Sequence, residues 1–508
     1  MRRTWLSALA TILLLGGTAA AQVPPADPTE DPNAAVSDAM EFGGMVGGDV
    51  GLGMIGEDLV LRLNLGTEFT FWKFGLGIQA PLNLVVWDQD PEEDLIGGVI
   101  RKRDWDEPSD FLKILRYLRF GQKGELVYVL IGDLRNVYIG HGTIVGHYYN
   151  NTHIDHFRLG LQADLNTDYG GFETIFSHLN TDAAPGVAGG RIYIKPFAFW
   201  DKESYANNFA VGFSYVGDFK APYQLRDTFC NITEEAGFAR DVDLDGDGTP
   251  DFTCTEGQYT PNGQPDGYWD SDDEGNIRVL DRDRAMIFGF DLEFKVLDLS
   301  WIELTPYFDF NKIISADYGV HLGVLNIFKL PLDIGLQLRV EYRYFAENYV
   351  PTYFDATYEG YKFLYPFETS DGQGALPKLY AVEEGYAGKA RHGYYGELSF
   401  WVSDWVRVGG IWEDYQGEYN SNLSLSLELP ALEVVEFYAM YYKRNFEGAD
   451  EIFTLDDKSL LLAAIRVPFA TIFYAQAAYR AVWEYDPSES EYERVDDWSV
   501  GIGIGYRW

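Results

Sequence analysis

From Trp498 to Trp508 every second residue is large and apolar: Trp498, Val500, Ile502, Ile504, Tyr506 and Trp508 alternate with Ser499, Gly501, Gly503, Gly505 and Arg507. A period of two places the two sets on opposite faces of an extended strand. The pattern recurs at Ile334–Tyr344, where Gly335, Gln337, Arg339, Glu341 and Arg343 form the polar set, and again around Leu59–Leu65, Phe157–Leu165, Phe288–Lys295 and Leu423–Leu429. These runs reach about ten residues, the length a tilted strand needs to cross a bilayer and about twice that of an ordinary strand. Their apolar faces end in Tyr342, Tyr344, Trp498, Tyr506 and Trp508, rings suited to a headgroup layer. A soluble sandwich or propeller also alternates, but it needs neither this length nor this aromatic rim.

The reading is therefore all-β: an antiparallel transmembrane β-barrel of sixteen to twenty strands, twenty being the best count. Runs are predicted near 42–54, 58–70 and 72–87, then at 125–135, 137–146, 155–166 and 169–178, and onward to 497–508. With a periplasmic N-terminus, connections after odd strands should be the long extracellular loops and those after even strands the short periplasmic turns. The long connections 88–124, 217–284, 346–391, 444–457 and 484–496 all follow odd strands, whereas Ser403-Asp404 and Pro468-Phe469 are short turns after even ones.

At the N-terminus, Arg2 and Arg3 precede an apolar stretch from Trp5 to Leu15 and a small-residue site at Ala19-Ala20-Ala21. That is the layout of a signal peptide, 1–21, cut after Ala21. Residues 22–40, rich in Pro, Asp and Ala, form a periplasmic linker, and 41–508 the barrel. With this leader, the alternating strands and the final Gly505-Tyr506-Arg507-Trp508, the chain resembles bacterial outer-membrane β-barrels. The resemblance implies an outer-membrane location, lipid contact, and recognition of the terminal aromatic by the barrel-assembly machinery.

Composition narrows the partners. The 79 acidic against 39 basic side chains give a net charge of −40, which removal of Arg2 and Arg3 with the leader takes to −42. So acidic a chain repels phosphate, arguing against nucleic acid. With 46% apolar residues and 16% aromatics it buries too much surface to be disordered.

Loop 217–284 concentrates the acidity, with 17 acidic and six basic residues. Within it, Asp243, Asp245, Asp247, Thr249 and Asp251 stand at positions 1, 3, 5, 7 and 9 around Gly248 and Gly246, with Asp241 just before them. Six to eight oxygens held this way suit Ca²⁺. The segment resembles the Asp-x-Asp-x-Asp-Gly loops of thrombospondin type 3 repeats and EF-hands, although the twelfth position is Cys254 instead of Glu. The expectation is a structural Ca²⁺ site in an acidic extracellular loop, closed by a Cys230–Cys254 disulfide worth about 3 kcal/mol.

Four of the seven His, namely His141, His147, His153 and His156, fall in one stretch, with His141 and His147 expected to share a strand face. They are candidates for a metal site or a catalytic base. Between Phe111 and Phe120, Lys113, Arg116 and Arg119 recur every three residues behind a helix start at Asp106–Asp110, predicting a short helix on the rim or in the lumen. The aromatic-rich extracellular loop 346–391 carries Tyr349, Tyr353, Phe354, Tyr358, Tyr361 and Phe363, either as internal glue or as a stacking surface. Lumen-facing positions mix Arg62, Arg158, Arg191, Lys195, Arg339 and Arg343 with Asp164, Asp291, Glu293 and Glu341.

A wide barrel with a polar, two-signed lumen implies a porin-like channel passing small hydrophilic solutes, not an enzyme. Two other functions fit the same sequence: a non-conducting barrel serving as a surface-binding or structural protein, and a barrel hydrolase using the His cluster.

Overall fold

The computed structural model describes residues 42–507 except 56–57, 88–94, 97–98, 102–103, 106–109, 152–157, 180–185, 226–239, 243–251, 255–278, 364, 370–371, 386–387, 404, 418–419, 433–434, 457, 470–471 and 487–490. The signal peptide, the linker, the candidate calcium ligands Asp243, Asp245, Asp247, Thr249 and Asp251, Cys230, His153 and His156 lie outside the described residues.

Twenty antiparallel strands form the wall: β1 (Phe42–Ile55), β2 (Asp58–Phe71), β3 (Phe74–Trp87), β4 (Leu115–Phe120), β5 (Val127–Gly132), β6 (Gly160–Thr167), β7 (Gly170–Phe176), β8 (Val187–Ile194), β9 (Phe209–Leu225) and β10 (Val279–Phe294) in the first half. The second half comprises β11 (Ile302–Ile313), β12 (Tyr318–Leu330), β13 (Ile334–Phe345), β14 (Arg391–Val402), β15 (Val406–Tyr415), β16 (Ser421–Leu432), β17 (Val435–Phe446), β18 (Ser459–Pro468), β19 (Phe473–Asp486) and β20 (Glu491–Arg507). Each pairs with the next, and β20 returns to β1 with Gly501 opposite Gly51, so the wall has no free edge. Closure is what a membrane demands, since an unpaired strand edge in hydrocarbon leaves backbone groups unsatisfied.

Polarity is inverted relative to a soluble protein. Ile192, Phe213, Leu322, Val340, Leu398, Ile502 and Ile504 are exposed on the outer face, whereas Arg191, Ser214, Asp291, Asp309, Glu341 and Glu397 are buried inside. Exposed Trp72, Trp301 and Trp405 all lie next to connections that follow even strands, and so share one rim of the barrel. The chain is a closed antiparallel barrel with an apolar outer face. Among the described residues no helix is long and apolar enough to span a membrane.

Two segments differ from expectation, and the differences cancel in the strand count. The stretch 111–120 is a 3₁₀ turn at Asp110–Ile114 followed by β4, which supplies the partner that β3 requires. Within β4, Tyr117 and Arg119 face in while Leu118 faces lipid; the three-residue spacing of Lys113, Arg116 and Arg119 was a coincidence across a turn and a strand. Conversely, 137–146 is no strand of the wall. Asn136, Gly140, Gly142 and His147 all have positive φ (52°, 58°, 79° and 54°), which breaks an extended run and folds the segment into the lumen. His141 and His147 therefore share no strand face. The outer loops are also shorter than expected: β9 and β10 reach Leu225 and Val279, and β19 and β20 extend to Asp486 and Glu491.

Candidate solute passage

The segment between β5 and β6 forms an inward hairpin. Val137 bridges Tyr148, the Ile139 amide donates to the Val145 carbonyl at 3.2 Å, and Asn150 ties the base by accepting from the Leu134 amide and donating to the Arg158 and Ser177 carbonyls, each at 2.8 Å. Its tip, Gly140-His141-Gly142, meets the polar face of β7–β13. His141 Nδ1 lies 2.8 Å from Asp309 and Nε2 3.2 Å from Glu293, with its ring stacked on Tyr307 at 4.0 Å. Burial alone would push this imidazole down, but Asp309 and Glu293 together raise it to about 10. It is an imidazolium cross-link with both nitrogens engaged. The Gly140 amide donates to Glu173 at 2.6 Å, and the His141 carbonyl accepts from Arg339. Arg191 grips Asp291 through Nε and Nη2 at 2.9 and 2.6 Å and reaches Glu173 at 3.3 Å.

The segment between β13 and β14 folds in beside it, carrying α1 (Tyr358–Tyr361) and α2 (Lys378–Glu383). The Thr352 and Phe354 amides donate to the Thr143 and Ile144 carbonyls at 3.0 Å, and the Gly146 amide donates to the Phe354 carbonyl at 3.2 Å. Between the two segments lies the molecule's apolar core: Ile144, Val145, Tyr148, Tyr349, Tyr353, Phe354, Tyr358, Leu379 and Val382, packed against Ile287, Ile313 and Phe345 of the wall. Most of the loop's aromatics are thus internal glue, each contributing about 1.5–3 kcal/mol of burial. A buried carboxylate, Glu359, fastens the pair: it accepts from Tyr148 Oη at 2.6 Å and Lys362 Nζ at 2.8 Å, and also pairs with Arg158. Burial would raise its carboxyl, but Arg158 and Lys362 hold it down to about 2.

These segments fill the β7–β13 side. Opposite them, against β14–β17, a cavity of about 410 Å³ remains. His147, Arg339, Asp355, Tyr361, Lys378 and Arg391 line one part of it, and Glu397, Ser399, Glu413, Tyr415, Ser426 and Arg444 the rest. His147 contacts Tyr138 Oη and Asn136, and burial depresses it to about 4, so it is neutral. Deeper along the inner faces of β13 and β17, the Gln337 amide and the Tyr438 hydroxyl are buried atoms without a protein partner, as is the Tyr149 hydroxyl.

The remaining sequence candidates sit around this network. Glu341 lies between Arg343 at 2.6 Å and His321 at 3.4 Å, and Arg343 also reaches Glu413 at 2.8 Å. Arg62 donates to the Met54 carbonyl at 3.1 Å beside the β1–β2 connection, and Lys195 stands at the N-cap position of the short helix that follows β8 without a side-chain cap bond. Asp241 belongs to a separate two-stranded hairpin, Arg240–Val242 with Phe252–Cys254. Sequence reasoning missed Asp309, Glu397 and Glu413, although the alternation Tyr307-Asp309-Asn311 carried the signal. Arg391, Arg444, Glu359 and Lys378 lie at strand ends or in loops, where periodicity is silent.

No family model and no curated protein matches the chain. Solved structures similar to it include OccK11 of Pseudomonas aeruginosa, 8% identical over 92% of this chain and 95% of that one with a TM-score of 0.31. OccAB1 of Acinetobacter baumannii is 8% identical over 92% and 96%, with a TM-score of 0.29. Wzi of Escherichia coli, described as a carbohydrate-binding β-barrel involved in capsule assembly, is 11% identical over 91% and 84%, with a TM-score of 0.32. The likeness is one of barrel outline.

Proposed function

We propose that this barrel is a porin-like outer-membrane channel for small hydrophilic solutes, and that solute travels along the β14–β17 wall. The observation that carries the reading is the cavity of about 410 Å³ left beside the inward loops, whose lining includes charged and hydroxyl side chains such as Arg391, Glu413, Ser399 and Ser426. A cavity of that size suits a solute of sugar or amino-acid dimensions. Swelling of liposomes reconstituted with the protein, scored against sugars of increasing size, tests it: uptake should fall as the sugar grows.

The outer face is proposed to be ordered by Ca²⁺ held by Asp243, Asp245, Asp247, Thr249 and Asp251, with Asp241 nearby and a Cys230–Cys254 disulfide closing the loop. Support comes from the ligand spacing and from the hairpin that pairs Arg240 with Cys254, drawing together the ends of this segment. Export with cleavage after Ala21 and insertion by the barrel-assembly machinery complete the proposal. The packed apolar core inside the lumen favours one second reading, a closed barrel whose outer loops do the work; the absence of any solute flux would select it.

A further inference from the structure

The cavity's charge runs against that of the chain. In a protein of net charge −40, its lining carries Arg339, Lys378, Arg391 and Arg444 against Asp355, Glu397 and Glu413. Two of those carboxylates are already engaged, Glu397 by Arg339 and Glu413 by Arg343 from the adjoining wall. Arg391 stands apart. It opens β14 at the extracellular end, donates from Nη1 to Asn420 Oδ1 at 2.9 Å, and lies 5.2 Å from the centroid of the Tyr415 ring. Among the described residues no carboxylate comes within ion-pair distance of it. Arg444, near the extracellular end of β17, lies over Tyr361 in the same way, 5.0 Å from its centroid.

We propose that the extracellular end of this cavity binds the anionic head, carboxylate or phosphate, of a small organic solute, with Arg391 as its principal contact. A guanidinium backed by a ring has its plane fixed while its edge N–H groups stay available, the arrangement that matches a planar or tetrahedral oxyanion. A cation left without a carboxylate in a partly desolvated site gains most from such a ligand. The proposal rests on reading the cavity as the solute path, but its test does not depend on conduction.

The purified full-length protein in detergent is titrated calorimetrically with inorganic phosphate, with propionate, and with glycerol as an uncharged control. At least one anion should bind and glycerol should not, and the preferred anion identifies the head group. Arg391→Gln should weaken that anion about 10- to 100-fold, the reach of a charge-assisted hydrogen bond, and Arg391→Lys should fall between, with thermal unfolding verifying that both variants are folded. Binding of neither anion, equal binding of glycerol, or unchanged affinity in folded Arg391→Gln overturns the proposal. Anion binding that depends on Arg391 in a protein that conducts nothing removes the channel reading and leaves this site standing.

Discussion

Replacing His141 with Ala should release the inward hairpin from the wall. The side chain makes two contacts with carboxylates, at 2.8 and 3.2 Å, and stacks on Tyr307. Removing it leaves Asp309 and Glu293 without a cation they share, and breaking a buried ion pair by deleting one partner costs about 3–5 kcal/mol. Backbone anchors at Gly140 and His141 retain part of the fastening, so the lower figure applies. At about 1.4 kcal/mol per tenfold, that raises the population of the released hairpin roughly 100-fold. In single-channel recordings the variant should visit a larger-conductance state far more often than wild type. The pH dependence has a defined sign. His141 titrates near 10 in the folded protein against 6.5 unperturbed, so its stabilisation is complete below about 6.5 and is lost as pH rises through 10. Wild type above pH 10 should therefore approach His141→Ala, which should show no such transition. Identical opening in both proteins across the pH range refutes the latch.

Other perturbations separate the parts of the account. Glu359→Gln leaves Asp218, 3.6 Å from Lys362, as the carboxylate remaining beside Arg158 and Lys362, and should lower stability by about 3 kcal/mol, read by thermal unfolding; because Glu359 is held near 2 against 4.5, its contribution is complete above about 4.5 and is lost as pH falls through 2. Leu322→Arg, on the lipid face near the middle of β12, should cost about 2–4 kcal/mol in refolding into bilayers; no cost would mean that this face does not meet lipid. Chelating Ca²⁺ should lower the thermal midpoint, since hundredfold excess over Kd contributes about 2.7 kcal/mol, and Asp245→Asn with Asp247→Asn should abolish the difference. An unchanged midpoint removes the calcium site.

The wall was legible because a membrane strand must alternate over its full length. The inward set at Gly335, Gln337, Arg339, Glu341 and Arg343 is buried as its period demands, and the longest connections follow odd strands, as the parity argument expects. The two misassigned segments show where that signal stops. Strand β4 has six residues, too few for its alternation to outweigh a three-residue spacing of basic side chains. The hairpin at 137–146 is apolar and β-branched like a strand, yet its glycines place it in the lumen; its polar contacts, such as His141 with Asp309, join residues 168 apart in sequence. Such pairings are set by barrel closure, which no local pattern encodes. The aromatics of 346–391 had two open roles, and only packing divides Tyr353, Phe354 and Tyr358 in the core from Tyr361 on the cavity.

The central claim, a solute path along β14–β17, is tested most directly by conductance of the purified, folded protein in planar bilayers. The account requires discrete channel openings in wild type, reduced when Ser426→Arg places a bulky side chain on the cavity wall. A folded barrel that produces no openings, or openings of equal size in wild type and Ser426→Arg, contradicts it.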